Sequence, residues 1–245
     1  MAKRLLLGLI VLGVALGVVA LTRDDVAPVN GLVRVDELGY SPGETKIAYL
    51  MTRAPAPPFR SAVAPVSKAE LGRSYHRSCP VGAPELRLLR LSYWGFDSRA
   101  HTGSLVVRRR AVADLRAVFA RLYTRRFPIR RMEPIARYRG SDNASMAADN
   151  TSAFNCRYAV APGPRRWSAH AYGDAIDVNP VENPYVLGGR ARPPAGASYI
   201  DRAKVRPGMA LRGGVITRAF AAVGWQWGGR WYGSPDYQHF SATGG

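Results

Sequence analysis

The stretch SAHAYGDAID, Ser168 to Asp177, restricts the folds open to this 245-residue chain more than any other. His170 and Asp177 are seven apart, so a straight strand would point them to opposite faces. For an imidazole and a carboxylate to reach one point, the backbone must bend near Tyr172 and Gly173, and glycine is the residue that tolerates such a bend. A metal site would require that bend.

A second constellation lies near the C-terminus, in GWQWGGRWYGSPDYQHF, where Asp236 and His239 sit three apart behind Pro235. His170, Asp177 and His239 together offer two nitrogens and one oxygen, a three-ligand set that leaves one tetrahedral position of Zn2+ open. Asp236 falls outside that set and is free to act as a base.

The two segments together resemble the M15 zinc peptidases of bacterial cell walls, a family of D-alanyl-D-alanine carboxypeptidases, dipeptidases and L-alanyl-D-glutamate endopeptidases. The pattern SxHxxGxAxD is met at Ser168, His170, Gly173, Ala175 and Asp177, and the later D/ExxH at Asp236 and His239. The similarity extends through Asn150–Arg157, Asn179–Tyr185 and the GWxWGGxW run, roughly the C-terminal two thirds. It implies one Zn2+ held by His170, Asp177 and His239, with Asp236 as general base. Its carboxylate is expected to be ionised at neutral pH, as an ordinary aspartate is, and the nearby cation should keep it so. The resemblance further matches Arg157 to an arginine that donates to the developing oxyanion. Ser168 either contacts substrate or fixes the turn before His170.

Lys3 and Arg4 precede an uninterrupted apolar run, Leu5 to Leu21, followed by the polar TRDD. That charge pattern is an export signal, either cleaved or retained as a membrane anchor. The protein is thus expected outside the cytoplasm, secreted or tethered. Cys79 and Cys156 fit an oxidising compartment, where a pair bridges; two buried free thiols are the alternative. Such a bond would brace the site through Arg157, next to Cys156.

The net charge is +18, and lysine occurs only at Lys3, Lys46, Lys68 and Lys204, so the basic surface is almost entirely arginine. Such a surface seeks polyanions. For an exported protein these are anionic wall polymers or lipid headgroups; the export signal argues against nucleic acid as a partner.

Three regions are expected: residues 1–22 as a hydrophobic helix serving as signal or anchor, 23–78 as a short β-like stub and Pro-rich linker, and 79–245 as the catalytic domain. Asn30–Thr52 reads as two short strands around SPGE, and the prolines of Ala54–Phe59 mark extended chain. Within Leu86–Arg110 two strands are joined by a loop, and Ala111–Phe127 has helical apolar spacing. Arg130–Arg137 and Ser152–Val160 read as strands, and Tyr138–Asn150 as a long loop. A strand then carries Asp177 inward, Leu187–Gly208 is a surface excursion, a helix spans about Gly214–Val223, and strands flank Trp225–Trp231 and Tyr237–Ser241. The fold class is α+β, a small antiparallel sheet with flanking helices and a zinc site in a cleft on the sheet.

His76 and His101 read as packed or solvated residues, with His101 able to border the cleft. Trp225, Trp227 and Trp231 form either core or a sugar-stacking platform. On the resemblance, the chain is a zinc peptidase of peptidoglycan stem peptides, a D,D-carboxypeptidase or, alternatively, an L-alanyl-D-glutamate endopeptidase. A wall-binding protein with a purely structural zinc is the reading from another class; the surplus carboxylate Asp236 stands against it, because structural sites close their fourth position with a ligand.

Overall fold

A computed structural model describes residues 56–160 and 163–244, together with the backbone of 16–20 and 47–51. The chain divides into two units, Met1–Ala56 and Pro57–Gly245. In the first, strand β1 (Leu16–Ala20) pairs antiparallel with β2 (Ile47–Met51). The described part of the expected N-terminal helix is therefore extended, and the rest of that helix lies outside the described residues. β2 coincides with the second strand expected in Asn30–Thr52; the first also lies outside them. Among the described residues no helix is long and apolar enough to cross a membrane.

The second unit starts earlier than the expected boundary at residue 79. β3 (Ser61–Pro65) pairs with a later strand, and Leu71 of the short helix α1 (Lys68–Leu71) is buried. Residues 57–78 are thus folded against the domain and do not act as a linker. Their proline density suits an edge strand, which Pro65 ends. Ser67 starts α1 with a reciprocal capping box to Glu70.

β3, β4 (Leu86–Trp94) and β5 (Ala100–Arg108) form an antiparallel sheet, with Leu89 opposite Leu105 and Leu91 opposite Gly103. β4 is rich in leucine because both of its faces are covered. On one side lies α2 (Val112–Thr124), whose stripe Leu115, Val118, Phe119 and Leu122 is buried against Leu89, Leu91, Leu105 and Val107. Each side chain so buried contributes about 1.5–3 kcal/mol. On the other side Leu86, Leu88 and Val106 meet Leu71, Val81, Phe154 and Cys156. The disulfide Cys79–Cys156 closes this second cluster, with Cα atoms 5.8 Å apart.

Beyond α2 the elements shorten. β6 is only Arg131–Met132, because Pro134 and the 3-10 turn Ile135–Tyr138 end it. The expected loop after Tyr138 contains a helix, α3 (Asp142–Ala147), started by the Ser141 hydroxyl accepting from Ala144 N. β7 (Asn150–Thr151) pairs with β6 in parallel. The strand expected over 152–160 reduces to bridges at Ser152 with Asp177 and Tyr158 with Trp167. Between them the backbone donates outward, Phe154 N to Val106 O and Asn155 N to His170 O, which ties β5 to the coming site.

β8 (Ala175–Asp177) follows, and the expected excursion after it carries a hairpin, β9 (Tyr185–Leu187) with β10 (Arg190–Arg192). α4 (Val215–Ala221) packs on α2, and β11 (Gln226–Trp227) and β12 (His239–Ser241) complete a second antiparallel sheet in the order β11-β12-β8. The α+β expectation holds, with several small sheets in place of one.

Behind β8, Arg130 reaches two carboxylates, Nε to Asp149 Oδ2 at 3.4 Å and Nη2 to Glu182 Oε1 at 3.3 Å. Glu182 is buried and its Oε2 has no partner. Burial, and then a hydrogen bond and the charge of Asp149, push its carboxyl from 4.5 up to about 8. The unfolded chain releases that proton near 4.5 and the folded one holds it to about 8, so stability falls as pH rises through this window. Glu182→Gln should melt with the parent below the window and, at pH 8, roughly a few °C above it. Thermal melts at both pH values check this; equal melting at pH 8 would mean that Glu182 is ionised without cost.

Candidate active site

The site is built on the pairing of β8 with β12. His239 lies directly opposite Asp177 in the antiparallel register, so both side chains project from one face. His170 arrives from the preceding 3-10 turn, Ala169–Tyr172, whose first peptide is held by the Ser168 hydroxyl accepting from His170 N at 3.3 Å. Gly173 ends the turn in the left-handed region, φ 70°. A Cβ there would also meet Arg108 N at 2.6 Å, where Gly173 O accepts from that same amide. This is the bend that the spacing of His170 and Asp177 demands.

Three donor groups converge. His170 Nε2 lies 3.1 Å from His239 Nδ1 and 3.2 Å from Asp177 Oδ2, and His239 Nδ1 lies 3.3 Å from Asp177 Oδ1. All three residues are buried. His170 Nδ1 donates to Ala153 O at 2.7 Å, which fixes the tautomer and leaves the Nε2 lone pair facing the other two. Three acceptors cannot satisfy one another; a shared cation can satisfy all of them. A tetrahedral ion about 2.0–2.1 Å from each donor sets them about 3.3 Å apart, matching the spacing found. The residues present therefore fit a metal ion of the zinc type.

Residues 162–242 match the family model described as D-alanyl-D-alanine carboxypeptidase. This segment is thus similar to the M15 peptidases. The matched segment contains Ser168, His170, Asp177, Asp236 and His239 but not Arg157, so it is narrower than the resemblance read from the sequence. No curated protein and no solved structure matches the chain.

The charges of the three donors are unevenly held. Burial alone would raise Asp177, but the charge and hydrogen bond of His170, then those of His239, hold it well below the usual carboxylate range. Burial opposes charge on both histidines; for His170 the Asp177 carboxylate outweighs it and raises the ring, whereas for His239 burial prevails and lowers it. Burial, then the Asp177 charge, push the Asp236 carboxyl well up. Its Oδ1 is buried without a partner. A cation at the neighbouring ligands reverses this balance and favours the carboxylate. Close packing holds the Asp236 loop, since a Cβ on Gly228 would lie 2.8 Å from Asp236 O.

Asp236, His170 and His239 line a cleft of about 290 Å3 shared with Arg157, Ser168, Trp231 and Tyr185. Ser168 does serve as the turn residue, and it also reaches the cleft wall. The tryptophans divide: Trp225 is core, Trp227 packs against it, and Trp231 enters the cleft with its ring centroid 5.2 Å from that of His239. His101 pairs with Asp97 in the β4–β5 turn and does not line the cleft. His76 lies 3.5 Å from Cys156 Sγ, and these two with Cys79 make a second cluster of metal-ligand types. Its sulfurs are bonded to each other, so it offers no thiolate.

Sequence reasoning missed Asp142. Its Oδ2 accepts from Arg157 Nη2 at 2.9 Å and its Oδ1 from Asn155 Nδ2 at 3.1 Å, which anchors Arg157 at the cleft wall. The legible signal was Ser141-Asp142 opening an alanine-rich run, an N-cap pattern hidden in a segment read as loop. Asp142→Asn should lower peptidase turnover about tenfold, the lower end of what losing a supporting hydrogen-bond partner costs, with KM and bound metal unchanged. Steady-state kinetics with metal analysis decide; a fall in metal content would mean that Asp142 supports the centre itself.

Proposed function

We propose that this chain is a zinc-dependent peptidase of peptidoglycan stem peptides, acting as a D-alanyl-D-alanine carboxypeptidase. The observation that carries this reading is the convergence of His170, Asp177 and His239 beside a buried carboxyl, Asp236, that is not one of the three. A structural site has no use for such a group. The family description supports the carboxypeptidase assignment. The apolar run near the N-terminus and the disulfide support action outside the cytoplasm.

His170 Nε2, Asp177 and His239 Nδ1 would hold the ion. Zinc, when bound, supplies a Lewis acid for the scissile carbonyl and eases deprotonation of the attacking water. Asp236 takes that proton and delivers it to the leaving amine nitrogen as the C–N bond breaks. Arg157 donates from its guanidinium to the carbonyl oxygen as charge develops there, held in aim by Asp142. Trp231 and Tyr185 cover the cleft and orient the peptide.

Asp236→Asn should keep zinc and lose about 10²–10⁴-fold in turnover, the usual contribution of a general base. Loss of zinc as well would make Asp236 a ligand. Incubation of the protein with zinc, then with chelator, on defined muropeptides identifies the bond by product mass. Zinc-dependent release of terminal D-alanine is expected. A cut between L-alanine and D-glutamate would assign the endopeptidase activity, and no cleavage despite bound zinc would contradict the enzymatic reading.

A further inference from the structure

A groove of about 450 Å3 runs where α4 meets the C-terminal half of α2. Ala120, Ala219 and Val215 contribute its small apolar surfaces, and Arg121, Arg125 and Arg218 stand exposed around it. Thr124 adds no donor, because its hydroxyl already donates to Ala120 O. No carboxylate lines the groove. Arg108, Arg110, Arg130 and Arg157 each meet a carboxylate, whereas among the described residues these three guanidinium groups have no ion pair and no side-chain hydrogen bond.

The three cations gather at the C-terminal ends of the two helices, Arg121 and Arg218 in their last turns and Arg125 as the C-cap of α2. Arg121 and Arg125 are four apart, and like charges at this spacing repel. Arg218 adds a third cation from α4. A bound anion removes the repulsion, and three guanidinium groups around one groove call for more than a single negative charge. Phosphate answers both requirements, since its oxygens accept paired N–H donors from guanidinium groups.

We propose that the α2–α4 groove binds phosphate groups, and that its occupant is a soluble phosphodiester-linked polyanion. The surroundings disfavour a membrane. Among the described residues the exposed large apolar side chains are Val63, Val160, Val205 and Tyr232, and none lines the groove, so no side chain there is suited to enter acyl chains. Nothing in this site depends on the peptidase reading: the groove shares no lining residue with the cleft.

The test uses the full chain with poly(glycerol phosphate) as probe, titrated calorimetrically at fixed salt. A triple variant, Arg121→Gln with Arg125→Gln and Arg218→Gln, is compared with a charge-matched control, Arg73→Gln with Arg77→Gln and Arg99→Gln. The groove variant should bind about tenfold or more weakly, the scale of lost charge-assisted contacts, while the control changes less than about twofold. Muropeptide turnover should be the same in both, which separates this result from any failure of the peptidase assignment. Should the groove triple melt early, the three single substitutions are read against single controls in the same way. Equal losses in groove and control variants would reduce the effect to net charge and overturn the site, as would undiminished binding by the groove variant. Binding to phosphatidylglycerol vesicles without binding to the soluble polymer would overturn the proposed occupant.

Discussion

The arrangement of the domain depends on one pairing, His239 opposite Asp177 across β12 and β8. A slip of one residue would turn every side chain of the short strand to the other face and separate two of the three donors. Much of the surrounding chain serves to prevent that slip. Ile176 and Phe240, the next pair in register, are both fully buried, and Phe240 stacks on Phe220 of α4. The hydrophobic core and the metal donors are thus alternate residues of the same two strands.

The second constraint is electrostatic. Buried donors with lone pairs facing each other cost free energy until a cation arrives, and the site carries this cost in a rigid frame. His170 is locked by Ala153 O, and Asp236 is enclosed with a bare oxygen. The same ion that relieves the three donors also favours the ionised form of Asp236, so metal binding and readiness of the base are linked. Arg157 is set differently, by Asp142 on α3, a group remote from the family segment in sequence. The disulfide at the adjacent Cys156 fixes the backbone from which that arginine extends.

Much of this was legible in the sequence, where each signal was local. Spacing alone required a bend between His170 and Asp177, and the stripe Leu115, Val118, Phe119 and Leu122 announced α2. The cysteine pair suggested its own bond. The errors fell where tertiary contacts override local pattern. The proline-rich stretch before Cys79 looked like a linker because its pairing partner, β4, lies far along the chain. Ser152–Val160 alternates like a strand, yet its amides and carbonyls are divided among β5, β8 and the His170 turn, so no ladder forms. The upward push on the Asp236 carboxyl comes from burial, which no motif encodes.

The central claim is that two imidazoles and one carboxylate hold a single ion while both cysteines stay outside its coordination. X-ray absorption at the zinc edge, on protein loaded with one equivalent of zinc, tests it directly. The account predicts scattering from two histidine rings and light-atom oxygen ligands, with no sulfur shell. A sulfur shell, or a spectrum without imidazole scattering, would place the metal elsewhere and contradict the site described.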